Sequence, residues 1–499
     1  MEKNNLMIPV FIIFPVICTG LVVFFGEKNK LLRNFFTMLP AVVLFILIAR
    51  LVPQVLDGKR FFFEFLNRPP FIIQFRIDCF ALLMLIIVTF LWIFTVSYSY
   101  GYMADEHCQT RYYTALTSCL GVAVGIVTSA NLLTLFVFYE LLTCTVYPLV
   151  IHEETDEAWR SGVMYGAYLL GGGALIFAGM LLLYYYADGN LTFTNFGIPG
   201  LALAPKWVLY LMFFLFMAGF GVKGAIMPLH AWLPRAMVAP TPISALLHAV
   251  AVVNMGIYGI IRVIYNIFGP QLFQALQMDT ILALFAAMTI ISAALIALRQ
   301  KQIKRMLAYS TTNQLSYVIL GAASVHPYAF MGALLHIFYH SVMKITLFYS
   351  AGTIIKQTGK IDLKDMSGLA KKMPITCLGF TIGSIGIIGL PPIAGWISKW
   401  NMVEGYLKLG QPILAIVYMI SSIIELGYFL PPILWAFFGK EIEYDPKKYK
   451  VDKQKWEAPV NMLVPIGVVT LLSLTFGLFG SVPVELSKAT VAELLSKAF

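Results

Sequence analysis

The sequence predicts an all-α membrane protein of about fourteen transmembrane helices, and three observations predict it. Hydrophobic residues make up 59% of the chain and charged residues 12%, against roughly 25% charged in a soluble domain. Apolar runs long enough to cross ~30 Å of hydrocarbon follow one another almost without a gap. Lysine and arginine gather in alternate connections between those runs. A chain this poor in charge cannot clothe a water-facing surface of its own size, so lipid is the solvent for most of it.

In order, the runs fall at 6–26, 31–56, 73–98, 110–130, 131–151, 160–187, 205–230, 240–268, 278–300, 303–324, 326–355, 373–402, 410–438 and 458–480. The first, Leu6 to Phe25, lacks a basic lead and a small-residue cleavage site, so it reads as a retained helix. The stretch 110–151 reads as two short helices because Ser129-Ala130-Asn131 offers a turn at its centre.

Of the 35 Lys and Arg, 21 fall in odd-numbered connections, among them Arg299, Lys301, Lys304, Arg305, Lys371, Lys372 and the cluster Lys440–Lys455. The opposite side, with both termini, holds 10: Lys3, Lys59, Arg60, Arg68, Arg76, Lys206, Arg262, Lys408, Lys488 and Lys497. By the positive-inside rule the odd connections are cytoplasmic and both ends lie outside a cell membrane. The net charge of +10 is then an orientation signal, and nucleic acid is not expected as a partner. The six cysteines form no CxxC pair and no metal-ligand spacing, so neither a metal nor any other cofactor is expected.

Two helices look interrupted. Around 221–242 the chain reads GVKGAIMPLHAWLPRAMVAPTP, and around 389–400 it reads GLPPIAGWISKW. Pro228, Pro391 and Pro392 cannot donate a backbone hydrogen bond. Broken backbone at membrane depth survives only inside protein or beside a wet cavity. Paired breaks of this kind point to an inverted-repeat transporter. Lys223 and Lys399 stand beside them, 176 residues apart. The expected organisation is helices 1–3 over 1–109, a first inverted five-helix repeat (helices 4–8) over 110–268, and a second (helices 9–13) over 269–438, with helices 7 and 12 broken. A cytoplasmic loop, helix 14 and a tail occupy 439–499.

Ionisable residues inside these runs carry the chemistry, since a central Lys or Asp costs about 2.5–3.5 kcal/mol. Glu140 lies mid-helix in LLTLFVFYELLTCTVYPLV and Lys223 in FLFMAGFGVKGAIMPLH. At matching depth they can neutralise one another, and a partner that moves away turns the lysine into a proton donor. A static ion pair is the plainer alternative. In ALLHIFYHSVMKITLFYSAG, His336, His340 and Lys344 stand four residues apart, one stripe with steps of ~6 Å. Histidine can receive a proton on one ring nitrogen and release it from the other, so the stripe reads as a relay. Packed interhelical histidines explain either ring alone, but not the lysine on the same face. His248 can bridge the two halves or simply pack in the core. Lys399 is the last buried base. Glu425, 177 residues after His248, is an exit-side carboxylate or a paired interface charge. Lys304 reads as facing lipid headgroups, His230 and Trp232 as helix-end packing, and Arg50 as snorkelling.

Together FYELL, GVKGAIMPLHAWLPRAMVAPTPISALLHA, KRMLAYST, HIFYHSVMKITLFYSAG and GLPPIAGWISKW resemble, in this order over 110–435, the proton-conducting membrane transporter family. That family includes the antiporter-like subunits of complex I, their relatives in membrane-bound hydrogenases and formate hydrogenlyases, and the large Mrp antiporter subunits. The resemblance implies the same helix count, the inverted repeats and a Glu140–Lys223 pair. It further implies a hydrated axis through His248, His336, His340 and Lys344, with Lys399 at the far end. Asn254 departs from the pattern where many members carry lysine, as do Gln302 and Glu425. In size the chain is similar to the Mrp D-type and hydrogenase H-type subunits. The function implied is a proton-translocating subunit without its own redox centre, in a hetero-oligomeric oxidoreductase complex of the respiratory type. The alternative is a subunit of an Mrp-type Na⁺/H⁺ antiporter.

Overall fold

The computed structural model describes residues 5–440 and 456–495, so most of the basic cluster expected within Lys440–Lys455 lies outside the described residues, as do Lys3 and Lys497. Helices dominate, and eleven among the described residues are long and apolar enough to cross a membrane.

The N-terminal part holds α1 (Met7–Phe25), α2 (Lys30–Ala49) and the short α3 (Val52–Leu56). A feature outside the all-helical expectation follows, an antiparallel hairpin of β1 (Phe61–Arg68) and β2 (Phe71–Ile77). The apolar run expected from 73 is therefore strand up to 77, and the helix begins later. The cause is local. Pro69-Pro70 forces a turn, the flanking Phe and Ile residues favour pleated backbone, and Asp78 caps the next helix by accepting from Ala81 N.

Next come α4 (Cys79–Tyr102), α5 (Gln109–Thr128), α6 (Leu132–Val150) and α7 (Asp156–Tyr186). The chain turns at 129–131 as the sequence indicates, because the Asn131 side chain caps α6 by accepting from Thr134 N at 2.7 Å. α8 (Lys206–Lys223) stops at the first expected break, and α9 (Trp232–Arg235) resumes beyond Pro228.

A further interruption separates α10 (Thr241–Ala249) from α11 (Val252–Arg262), just after His248, so the expected span 240–268 is not one continuous α-helix. A π-helical turn, Val263–Phe268, prolongs α11 before α12 (Pro270–Ala275). The stretch Thr241–Phe268 is buried throughout, which puts it at the centre of the protein.

The second half comprises α13 (Met278–Leu298), α14 (Ile303–Ala323), the 32-residue α15 (Pro327–Thr358), α16 (Pro374–Ile388), α17 (Gly395–Lys408) and α18 (Pro412–Phe438). Proline at its first turn and a left-handed Gly359 at its end delimit α15. Pro391 and Pro392 lie in the gap between α16 and α17, the second expected break. After α19 (Val460–Phe479), the expected tail forms another helix, α20 (Ser481–Leu495). Glu493 of α20 pairs with Arg60 at 3.0 Å, tying the tail to the hairpin.

Candidate functional site

A buried lysine stands beside each of the two breaks. Lys223 is the last residue of α8 and is fully buried. From α17, Lys399 reaches back to the end of α16, where its ammonium donates to Ile388 O at 3.2 Å. Carbonyls freed by a break need donors, and the negative end of the helix dipole favours a cation there. At the first break the backbone N–H groups of Gly224, Ala225 and Ile226 serve the last carbonyls of α8, and the Trp232 indole N–H adds 2.7 Å to Val222 O.

The two lysines then diverge. Lys399 Nζ forms an ion pair with Glu425 at 2.7 Å, with Glu425 wholly buried, and also donates to Ser422 Oγ at 3.1 Å. Glu425 is thus the ion-pair partner of Lys399. Lys223 instead donates to Tyr139 O and lies 3.4 Å from the centre of the Tyr139 ring. Glu140 feels its charge but does not reach ion-pair distance among the described residues, so the expected direct pair is not formed in this conformation. The Glu140 carboxylate lies against α7 at Gly173, where a Cβ would collide with it. One of its oxygens is buried without a hydrogen-bond partner.

From Lys399 a hydrogen-bonded chain runs inward. Glu425 accepts from Gln314 Nε2 and from Tyr317 OH at 3.1 Å. Gln314 Oε1 accepts from His336 Nε2 at 2.9 Å, and His336 Nδ1 meets Ser398 Oγ at 2.9 Å. The His336 and His340 rings stack with centroids 6.0 Å apart, so α15 presents them as one stripe. Lys344, one turn on, donates to Ser310 Oγ at 2.9 Å. His248 stacks on Phe348 at 4.8 Å and stands within the electrostatic reach of Lys344 and Lys304. Neither ring nitrogen of His248 or His340 has a hydrogen-bond partner among the described residues.

Lys304 departs from the headgroup reading. It turns inward and donates to Ala239 O at 2.6 Å, which puts a cation between the surface and His248. Lys223 and Glu140 stand apart from this row. In the interval lies Asn254, which donates to Ala249 O at 2.7 Å, bridging the α10–α11 break, and to Ser341 Oγ at 3.0 Å.

A model of the transmembrane family described as NADH:quinone oxidoreductase/Mrp antiporter matches residues 129–425. The chain belongs to this family. The eight residues of the expected relay, Glu140 to Glu425, fall within the matched segment. A second model, the N-terminus of complex I chain 5, matches residues 69–113.

Among the relatives, NADH-quinone oxidoreductase subunit N of Desulforudis audaxviator is 32% identical over 427 residues, covering 82% of this chain and 83% of that one. The D-type Na⁺/H⁺ antiporter subunit of Bacillus subtilis is 26% identical over 95% of this chain and 94% of its own. The fold matches a chain of the archaeal membrane-bound sulfane sulfur reductase with a TM-score of 0.85, 23% identity and 99% coverage of both chains. It also matches a chain of the Mrp complex of a Dietzia species at 0.87, with 20% identity and coverage of 98% of this chain and 97% of that one.

Sequence reasoning missed the neutral members of the site. Gln314, Ser310, Tyr317 and Ser398 are all fully buried. The signal was present in α14, where Ser310 to Gln314 are five consecutive polar residues within a run expected to span the membrane. Also missed was Arg262, assigned to an outer connection. It is 1% exposed and grips Asp78 through two hydrogen bonds of 2.8 Å, fixing the end of α11 to the start of α4.

Proposed function

We propose that this chain is the proton-translocating, antiporter-like membrane subunit of a multisubunit respiratory complex, carrying no redox centre of its own. The observation that carries the reading is the unbroken contact from Lys399 through Glu425 and Gln314 to His336. Beyond His336 the 6.0 Å step to His340 is one that a single water bridges. Protons pass along His340, Lys344 and His248, and Lys304 connects the row to the surface. Glu140 and Lys223 form a separate switch, in which the lysine exchanges Tyr139 for Glu140 as its partner. Each charge moved across 100 mV costs about 2.3 kcal/mol, so partner exchange by a buried lysine is an energetically adequate gate.

In this reading the chain has about fourteen spans, arranged as inverted repeats over 110–268 and 269–438. Helices 1–3 precede them over 1–109, and 439–499 follow. Both termini face outward, and other membrane subunits flank the chain in the cell membrane. Membrane vesicles carrying the assembled complex test it. Lys223→Ala and Lys399→Ala are each expected to abolish proton movement while the complex still assembles. Wild-type transport by both variants would remove the relay.

A second reading has its own support. The Bacillus subtilis Na⁺/H⁺ antiporter subunit aligns along nearly the whole chain. Under that reading the same vesicles acidify or alkalinise on addition of Na⁺ without any electron donor. Under the first they respond only when the electron donor is supplied.

A further inference from the structure

Two turns on the face that carries Lys304 bring together side chains that are far apart in sequence. His107 and Cys108 lie in the turn between α4 and α5, and Glu154 lies in the turn between α6 and α7. One donor atom from each, an imidazole nitrogen, a thiol sulfur and a carboxylate oxygen, lie within 4.8 Å of one another, and all three residues are exposed. In tetrahedral coordination, bond lengths of 2.0–2.3 Å separate neighbouring ligand atoms by about 3.5 Å. Exposed side chains close that gap by rotating about their own bonds.

Surrounding contacts prepare these donors. The Nε2 of His107 is 2.9 Å from His152 O. A carbonyl only accepts, so Nε2 carries the hydrogen and Nδ1 keeps its lone pair for an ion. A ligand histidine oriented by a backbone carbonyl through its other nitrogen is the usual outer-shell arrangement. The buried His152 ring stacks on His107 at 4.9 Å and stiffens it. Arg111 pairs with one oxygen of Glu154 and donates to His152 O at 3.0 Å, so the carboxylate is held in place with its second oxygen available. The Arg111 charge opposes a cation. Glu154 and a Cys108 thiolate outweigh it, and Glu153 lies close enough to feel His107.

We propose that His107, Cys108 and Glu154 form a binding site for a thiophilic divalent ion of the Zn²⁺ class, with water as the fourth ligand. One soft, one borderline and one hard donor suit that class better than Mg²⁺ or Ca²⁺, which take oxygen ligands. An ion held there staples the 103–108 turn to the 151–155 turn. These turns also carry Glu106, which pairs with Lys356 at 2.6 Å, and Glu153, which feels Lys304. Ion binding here does not depend on the proton pathway.

Co²⁺ added to the purified full-length chain in nanodiscs provides the test. The expected result is a sulfur-to-cobalt charge-transfer band, lost on addition of Zn²⁺. Cys108→Ser removes the band, and His107→Ala weakens binding by roughly tenfold or more. Cys144→Ser, at the other exposed thiol, leaves both unchanged. A band that persists in Cys108→Ser, affinity unchanged in His107→Ala, or no band at all overturns the proposal.

Discussion

Consider first the removal of either partner from the Lys399–Glu425 pair. At 2.7 Å, two unit charges attract by roughly 6 kcal/mol at an effective dielectric of 20. Most of that is consumed by taking both groups out of water, so the net value of the intact pair is small. Leaving one charge behind is a different matter. Glu425 is 0% exposed and Lys399 6%, and an orphaned charge at such a position costs about 3–5 kcal/mol. Glu425→Gln and Lys399→Met are therefore each expected to lower stability by that amount. The double variant, which buries no unpaired charge, recovers most of it. Thermal unfolding of the purified protein in nanodiscs reads the stability, and proton movement in vesicles reads the function. The two readouts are expected to split, with the double variant stable and inactive. A Glu425→Gln protein as stable as wild type would show that the pair does not form. A double variant that transports normally would assign the pair to architecture alone.

Three further outcomes follow from other contacts. Gln314→Leu severs the link between Glu425 and His336. A hydrogen bond to a charged group is worth about 1.5–3 kcal/mol, so vesicle transport should fall by roughly tenfold or more, and an unchanged rate would exclude Gln314 from the path. Gly173→Ala places a methyl group on the Glu140 carboxylate and should impair transport, whereas Gly171→Ala, with nothing within 4 Å of its added carbon, should not. Arg262→Met leaves Asp78 buried beside Arg76 alone, 3.0 Å away, and should destabilise the protein by about 3–5 kcal/mol in the unfolding assay. A change below about 1 kcal/mol, the level of a surface pair, would contradict the buried geometry.

Which parts of this site were legible in the sequence follows from cost. Lys223, His336, His340, Lys344 and Lys399 stood out because an ionisable group in an apolar run is expensive enough to demand a reason. Gln314 and Ser310 are cheaper to bury, and only the register between α14, α15 and α18 makes them links. Arg262 sat near the end of an apolar run, where hydropathy cannot tell a snorkelling side chain from a buried one. Its partner Asp78 is 184 residues away. The hairpin escaped notice because β2 runs almost directly into the apolar α4. The Pro69-Pro70 pair and the aromatic residues of β1 were its only marks. The sequence SVPVELSKATVAELL is too polar for a span, so α20 gave no signal to a search for membrane-crossing runs.

The two lysines beside the breaks are held by different partners, and the difference bears on the proposed switch. A helix terminus contributes about 0.3–1 kcal/mol to a nearby cation, up to ~2 in partly buried geometry, less than the ~2.5–3.5 kcal/mol of burying a lysine. Lys399 makes up the remainder with a full carboxylate and the Ser422 hydroxyl. Breaking that arrangement orphans Glu425 as well. Lys223 makes it up with one carbonyl and the face of Tyr139, and a desolvated cation–π contact is worth about 2 kcal/mol. Glu140 is only half-buried and keeps an unpartnered oxygen, so a swing of Lys223 from Tyr139 to Glu140 would give both charges a partner. If the proposed switch operates, Lys223 rather than Lys399 is the lysine expected to change partner, because moving Lys399 would orphan the wholly buried Glu425.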